Sequence, residues 1–192
     1  CTPRLNLNPV VCGTQGFTKT GPGLLNLGAT SNLLSGTVKL YQASEVLLNH
    51  YQALLNADVS VTGTIVNSRK YELNCNTLTF GQDGRVNLLN TDPGFENLPV
   101  SIIARNGITI NSGGQLGGGL YATSPNNGYA LKLVAPSVTI NSGGTIIYKN
   151  NIALVSTYQP SLSGSNITVN SDGEIKFACN SATFVMNNPL TL

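Results

Sequence analysis

The sequence predicts an all-β chain: a single-domain parallel β-solenoid with coils of about 30 residues and a short capping α-helix near the N-terminus. Three observations predict it. The chain repeats itself internally, apolar and polar residues alternate with period two inside each repeat, and Asn, Ser, Thr and Gly replace charge on the surface.

The repeat decides the architecture, because self-similarity at a fixed period is the signature of stacked units. Four segments align: Leu78-Thr79-Phe80-Gly81-Gln82-Asp83-Gly84-Arg85-Val86, Ile108 to Leu116, Val138 to Ile146, and Ile167 to Ile175, with starts 30, 30 and 29 residues apart. Each reads apolar-Thr-apolar, then Asn-Ser-Gly-Gly or a variant, then polar-apolar, which is two short strands joined by a turn. Asn and Gly suit the turn because they tolerate positive φ. A further apolar stretch precedes most units, as in Val100 to Ala104 and Ala130 to Val134, so one period holds about three strands.

Wound as a solenoid, equivalent residues stack about 4.8 Å apart as neighbours in a parallel sheet. Leu78/Phe80, Ile108/Ile110, Val138/Ile140 and Ile167/Val169 point inward, Val86, Leu116, Ile146 and Ile175 close the other side, and Thr79, Thr109, Thr139 and Thr168 form an outward ladder. One repeat cannot bury its own apolar face, so stacking creates the core.

The Ile-Thr-Ile-Asn-Ser-Gly-Gly signature, over Leu78 to Ile175, resembles the repeats of filamentous-haemagglutinin and autotransporter passenger domains, a broad group of bacterial surface β-helices. The resemblance implies an exported surface protein with an adhesive or scaffolding role, and it brings no catalytic residues with it.

The remaining chain divides into an irregular N-terminal arm (1–37), a capping strand and helix (38–58) and the solenoid (59–192). The arm is rich in Pro, Gly, Asn and Leu without sustained periodicity. Val38 to Tyr41 reads as a short strand. Ser44 to Asn56 reads as a helix, with Leu47, Tyr51, Leu54 and Leu55 on one face, Ser44 as cap and Glu45 at the positive end of the dipole. Such a helix would cover an open end of the stack. At the other end, Ala182 to Met186 reads as a last apolar strand, and no charged residue lies beyond Lys176. An end this apolar either packs into its own chain or pairs with another.

Charge excludes several functions. Asp, Glu, Lys and Arg make up 9% of the chain and the net charge is +2, with no basic stripe to attract nucleic acid. Apolar runs fall far short of the roughly 20 residues that span a bilayer. The chain starts at Cys1 without an initiator Met, which reads as a processed, exported chain, extracellular or on the cell surface. A leading cysteine resembles that of a bacterial lipoprotein, which carries the lipid and gives the only membrane contact expected. Its alternative is a disulfide from Cys1 to Cys12. Cys75 lies beside the first repeat and Cys179 beyond the fourth, roughly 14 Å apart at three steps, whereas a disulfide needs Cα atoms within about 7 Å. That leaves Cys179 free, tied to the arm, or bonded to another subunit.

No catalytic, cofactor or metal site is expected. His50 is the sole histidine and has no second ligand at metal spacing. Asp83 and Asp172 occupy equivalent turns, too far apart at about 14 Å for the 5 to 9.5 Å of a glycosidase pair, and Asp172 with Glu174 reads as a turn aspartate beside an exposed strand glutamate. The Gly117-Gly118-Gly119 run opens no helix and reads as a turn. Threonine ranks can match an ice lattice, but the neighbouring outward column, Arg85, Gln115, Thr145 and Glu174, is mixed and charged. An ordinary solvated face accounts for them. Two functions remain: a self-assembling subunit of an extracellular fibre, coat or envelope complex, and an adhesin or glycan-binding module whose loops carry Phe95, Tyr121, Tyr129 and Tyr158.

Overall fold

Runs of four to eleven alternating residues between Gly, Asn and Pro favour extended backbone, and every regular element among the described residues is a β-strand. The computed structural model describes residues 3–28, 33–42, 45–50, 52–68, 72–88, 100–117, 131–150, 161–163, 166–179, 185–186 and 190–192. Its strands are β1 (Arg4–Leu7), β2 (Cys12–Gly13), β3 (Phe17–Thr20), β4 (Leu24–Leu27), β5 (Leu33–Tyr41), β6 (Glu45–Leu48), β7 (Asn56–Thr62), β8 (Ile65–Ser68), β9 (Glu72–Phe80) and β10 (Arg85–Leu88). They continue with β11 (Val100–Ile110), β12 (Gln115–Gly117), β13 (Leu131–Val134), β14 (Ser137–Ile140), β15 (Thr145–Asn150), β16 (Ser161–Ser163), β17 (Asn166–Val169), β18 (Glu174–Cys179), β19 (Val185–Met186) and β20 (Leu190–Thr191).

These strands form two sheets between which the chain passes alternately. The first runs β1-β4-β6-β8-β10-β12-β15-β18, and the second holds the other twelve strands. The pairings are parallel, from Arg4↔Leu24 at one end to Asn150↔Cys179 at the other. In the first sheet the register advances from Arg4 to Leu24, Leu24 to Glu45, Val46 to Val66 and Ile65 to Arg85, steps of 20, 21, 20 and 20 residues by number. It then advances from Arg85 to Gln115, Thr145 and Glu174, steps of 30, 30 and 29. The 30-residue period therefore holds only for the later half. The difference falls between a first-sheet strand and the next second-sheet strand: β8 ends at Ser68 and β9 begins at Glu72, whereas β10 ends at Leu88 and β11 begins at Val100.

Two expectations for the N-terminal part are corrected. The segment read as an irregular arm carries β1 to β4, and both sheets run unbroken across residues 38 to 59. Leu5, Leu7, Leu25 and Leu27 alternate as a strand should, but the intervening Asn and Pro hid the pattern. The expected helix is absent. Val46, Leu47 and Leu48 lie in β6, paired to β4 and β8, and are all buried. Single turns follow, closed by Ala53 N–H to His50 O at 3.1 Å and Leu55 N–H to Gln52 O at 3.2 Å, before β7 begins. A short apolar run buried on both sides looks the same in a strand as in a helix, and here Leu54 packs from a turn.

One continuous cluster of buried apolar residues extends from Leu25 to Ile167. The expected inward pairs belong to it except for Val169, with Leu78, Phe80, Ile110, Val138, Ile140 and Ile167 at 0% exposure. Leu116 and Ile146 are buried as well, while Val169 and Ile175 pack against the cluster only partly buried. Each such side chain contributes roughly 1.5–3 kcal/mol on leaving water.

The turn of the repeat explains the two aspartates. Asp83, Gly113, Gly143 and Asp172 occupy one position with φ of 57°, 70°, 72° and 61°, a conformation open mainly to Gly, Asn and Asp. Their backbones stack through hydrogen bonds from Asp83 N–H to Gly113 O and Gly113 N–H to Gly143 O, both 2.9 Å, and from Gly143 N–H to Asp172 O at 3.0 Å.

Candidate functional site

Polar side chains that stacking places over one another make three amide ladders. Asn170 Nδ2 donates to Asn141 Oδ1 at 2.7 Å, and Asn141 Nδ2 to Asn111 Oδ1 at 2.8 Å. Nearer the N-terminus, Asn49 donates to Asn26 at 2.7 Å and Asn26 to Asn6 at 3.2 Å. The third ladder sits at a bulge, where Arg105 and Asn106 together oppose Asn76. There Asn106 Nδ2 donates to Asn76 Oδ1 and Asn76 Nδ2 to Asp58 Oδ1, both at 2.7 Å. The same bulge aims the Arg105 guanidinium back at the Leu55 carbonyl and Asn56 Oδ1. These amides are occupied with one another, so their role is to hold register. The aligned repeats contain Asn111, Asn141 and Asn170 at one position, whereas Asn76 and Asn106, also 30 residues apart, lie just before the aligned segments and escape the alignment.

Ionisable groups are scattered. His50 Nδ1 accepts the Gln52 N–H at 3.2 Å in the turn after β6. Glu174 is paired with Lys176 at 2.6 Å, both half exposed, and Asp172 is an exposed turn residue. Among the described residues no group of three His, Cys, Asp or Glu side chains could hold a metal, and no helix is long and apolar enough to cross a membrane.

Cys12, in β2, is exposed and forms no disulfide with another described cysteine. Cys179 ends β18 in the first sheet, paired in register with Asn150, whereas Cys75 lies in the second sheet. Cys1 and the loop aromatics Phe95, Tyr121, Tyr129 and Tyr158 lie outside the described residues.

Cys75 is buried, its thiol pushed up to about 12 by desolvation, which outweighs the pull of Arg105 and adds to the push of Asp58. Its Sγ–H points at Ile103 O, 3.8 Å away. Iodoacetamide at pH 8 is expected to modify Cys12 and spare Cys75 until the chain is denatured, as peptide mapping by mass would record. The same burial sets a pH dependence. Below the ordinary value of 9.0 both states keep the proton. Above it the unfolded chain loses a proton that the folded chain retains, so stability falls as pH rises toward 12. Denaturation of Cys75→Ala between pH 8 and 11 is expected to show a shallower decline.

The outward threonines lie where the repeat predicts: Thr79↔Thr109↔Thr139↔Thr168 are in register across the second sheet, partly buried and alternating with residues that are buried except for Val169, which is partly so. Their flanking column is corrected. Arg85, Gln115, Thr145 and Glu174 align with one another in the first sheet and are not neighbours of the threonine rank.

Compared with protein-family models, curated proteins and solved structures, the chain matches none.

Proposed function

We propose that the chain is a parallel β-solenoid with a structural role outside the cell, a rigid subunit that joins further copies of itself end to end. One observation carries this reading. Every strand of the first sheet pairs in the same sense from β1 to β18. In a parallel stack the free edge of the first strand is complementary to the free edge of the last, so the two ends fit each other. Beside the β1 edge, Leu5 and Val10 are about half exposed, and at the far end Leu192 is 90% exposed. The low charge of the chain removes the usual deterrent to edge pairing.

Sedimentation velocity over a hundredfold range of protein concentration tests the reading. Association that grows with concentration is expected, together with a shift toward monomer in Leu5→Lys, whose ammonium would face the joining edge. A monomer throughout the range for the unaltered chain would overturn self-assembly. Running the same samples with and without reductant tells edge pairing from an intermolecular bond at Cys179 or Cys12.

A second reading, a stalk that displays binding loops, is favoured by the position of the extra residues. Segments 89–99, 118–130 and 151–160 all connect a first-sheet strand to the following second-sheet strand, and they contain Phe95, Tyr121, Tyr129 and Tyr158. Loop aromatics of this kind stack on sugars in adhesins, and retention on immobilised glycans that is lost in Tyr121→Ala and Tyr129→Ala would support it.

A further inference from the structure

Residue columns in the first sheet run unbroken from its first strand to its last. One inward column starts at Leu5, passes through Leu25 and Val46, and ends at Ile146 and Ile175. Within the stack a neighbour covers each member on both sides, so Leu25, Val46, Val66, Leu116 and Ile146 are at most 1% exposed. At its two ends Leu5 is 53% exposed and Ile175 is only partly buried. The residue before each belongs to an outward column that begins at Arg4 and ends at Glu174. Both of these end residues are exposed, and they carry opposite charges.

A copy added at β18 would lay its β1 beside that strand, and the columns give its seating. With Arg4 opposite Glu174, Leu5 continues the column that Ile175 ends. The second sheet agrees, because Phe17 on β3 and Leu190 on β20 stand at opposite ends of one column. A one-residue slip would set Leu5 against Glu174 or Lys176 and turn its apolar set outward. A two-residue slip would set Arg4 against Lys176, a like charge, or Leu5 against Gly173, which has no side chain to bury. Arg4 makes no ion pair among the described residues. Glu174 is engaged at Oε2 by Lys176 at 2.6 Å, and a carboxylate presents a second oxygen to a guanidinium.

We propose that two copies join head to tail in this one register, specified by an ion pair between Arg4 of the incoming copy and Glu174 of the copy already in place. Leu5 and Ile175 complete the core beside it. This joint rests on the end-to-end association proposed above and gives it polarity and register. Opposite charges facing each other across neighbouring strands favour the seating, and like charges there oppose it.

Sedimentation velocity at low ionic strength compares the unaltered chain with Arg4→Glu, with Glu174→Arg, with both changes in one chain, and with an equimolar mixture of the two single variants. Each single variant is expected to associate roughly fivefold more weakly than the unaltered chain, since an attraction becomes a repulsion. The doubly altered chain and the mixture, in which every joint can again pair Glu with Arg, are expected to recover association. Added salt is expected to weaken the unaltered chain and to strengthen the single variants. Circular dichroism is recorded for each, and Arg4→Gln or Glu174→Gln replaces any single variant that loses the folded signal, with a smaller loss of association expected. Association of every variant at the strength of the unaltered chain would overturn the register and leave end-to-end joining in place. Loss in the single variants without recovery in the doubly altered chain or the mixture would also overturn it. A monomer at every concentration for the unaltered chain would overturn the register and the end-to-end joining together.

Discussion

Phe80→Ala is expected to lower the stability of the chain by about 3–5 kcal/mol, the cost of emptying a fully packed aromatic site. Phe80 is at 0% exposure and leads the large side chains buried in the core. It sits in register between Val61 on β7 and Ile110 on β11, where the shorter and longer periods meet. Its Cβ also lies over Gly114, at whose position an added methyl would come within 2.9 Å of it. The cavity therefore opens in the buried core at the junction of the two periods. In a stack where each unit rests on its neighbours, a weakened interface in the middle separates two halves that were stabilising one another. Urea unfolding followed by circular dichroism is expected to show a lower midpoint, and a broader or two-step transition where the halves part. A midpoint within error of the unaltered chain would mean that the surroundings collapse onto the site.

The same junction shows what could be read from residue order. From Leu78 onward the inward and outward positions were legible, because the Asn-Ser-Gly-Gly turn marks the phase of each strand and a one-residue error would expose a whole apolar set. Before Leu78 that marker is missing. Val59-Ser60-Val61 pairs with Leu78-Thr79-Phe80, yet no Asn-Ser-Gly-Gly follows it, so the 20-residue period went unseen. Glu45 to Leu48 failed for another reason: Val46, Leu47 and Leu48 are all buried, leaving no polar alternation to distinguish a strand. The outward face of the second sheet was half legible. Its threonines follow from the repeat, but the identity of the flanking rank depends on which sheet Arg85 and Glu174 join, and a turn's change of direction is not written in hydrophobic periodicity. The Asp58–Asn76–Asn106 ladder lies just before the aligned segments: Asn76 and Asn106 keep the 30-residue period, but Asp58 belongs to the shorter coils, which carry no Asn-Ser-Gly-Gly marker.

Adjacent glycines of one turn are expected to respond in opposite ways to substitution. At Gly144 an added Cβ would lie 2.5 Å from the Ile110 carbonyl oxygen and 3.0 Å from that of Asn141. Both obstacles are backbone, so neither can rotate aside. Gly144 N–H also closes the turn onto Asn141 O at 2.8 Å, and its carbonyl accepts the Glu174 N–H of the next repeat at 3.0 Å. Pushing this residue outward therefore disturbs a bond within its own turn and one to the next repeat. Gly144→Ala is expected to cost at least about 1–3 kcal/mol, the range for overpacking a close-packed site, and Gly144→Val more. Gly143 is the contrast. Its φ is 72°, and an added Cβ would meet the Ser112 hydroxyl oxygen at 2.9 Å, the movable end of a side chain. Asp83 and Asp172 already occupy the equivalent position, so Gly143→Asp is expected to cost within about 1 kcal/mol, with Gly143→Val paying the left-handed penalty of roughly 1–2 kcal/mol. Thermal unfolding of the variants side by side gives the ordering. Close approach of stacked repeats at Gly144 predicts a larger loss there than at Gly143, whereas a turn limited only by φ predicts the reverse.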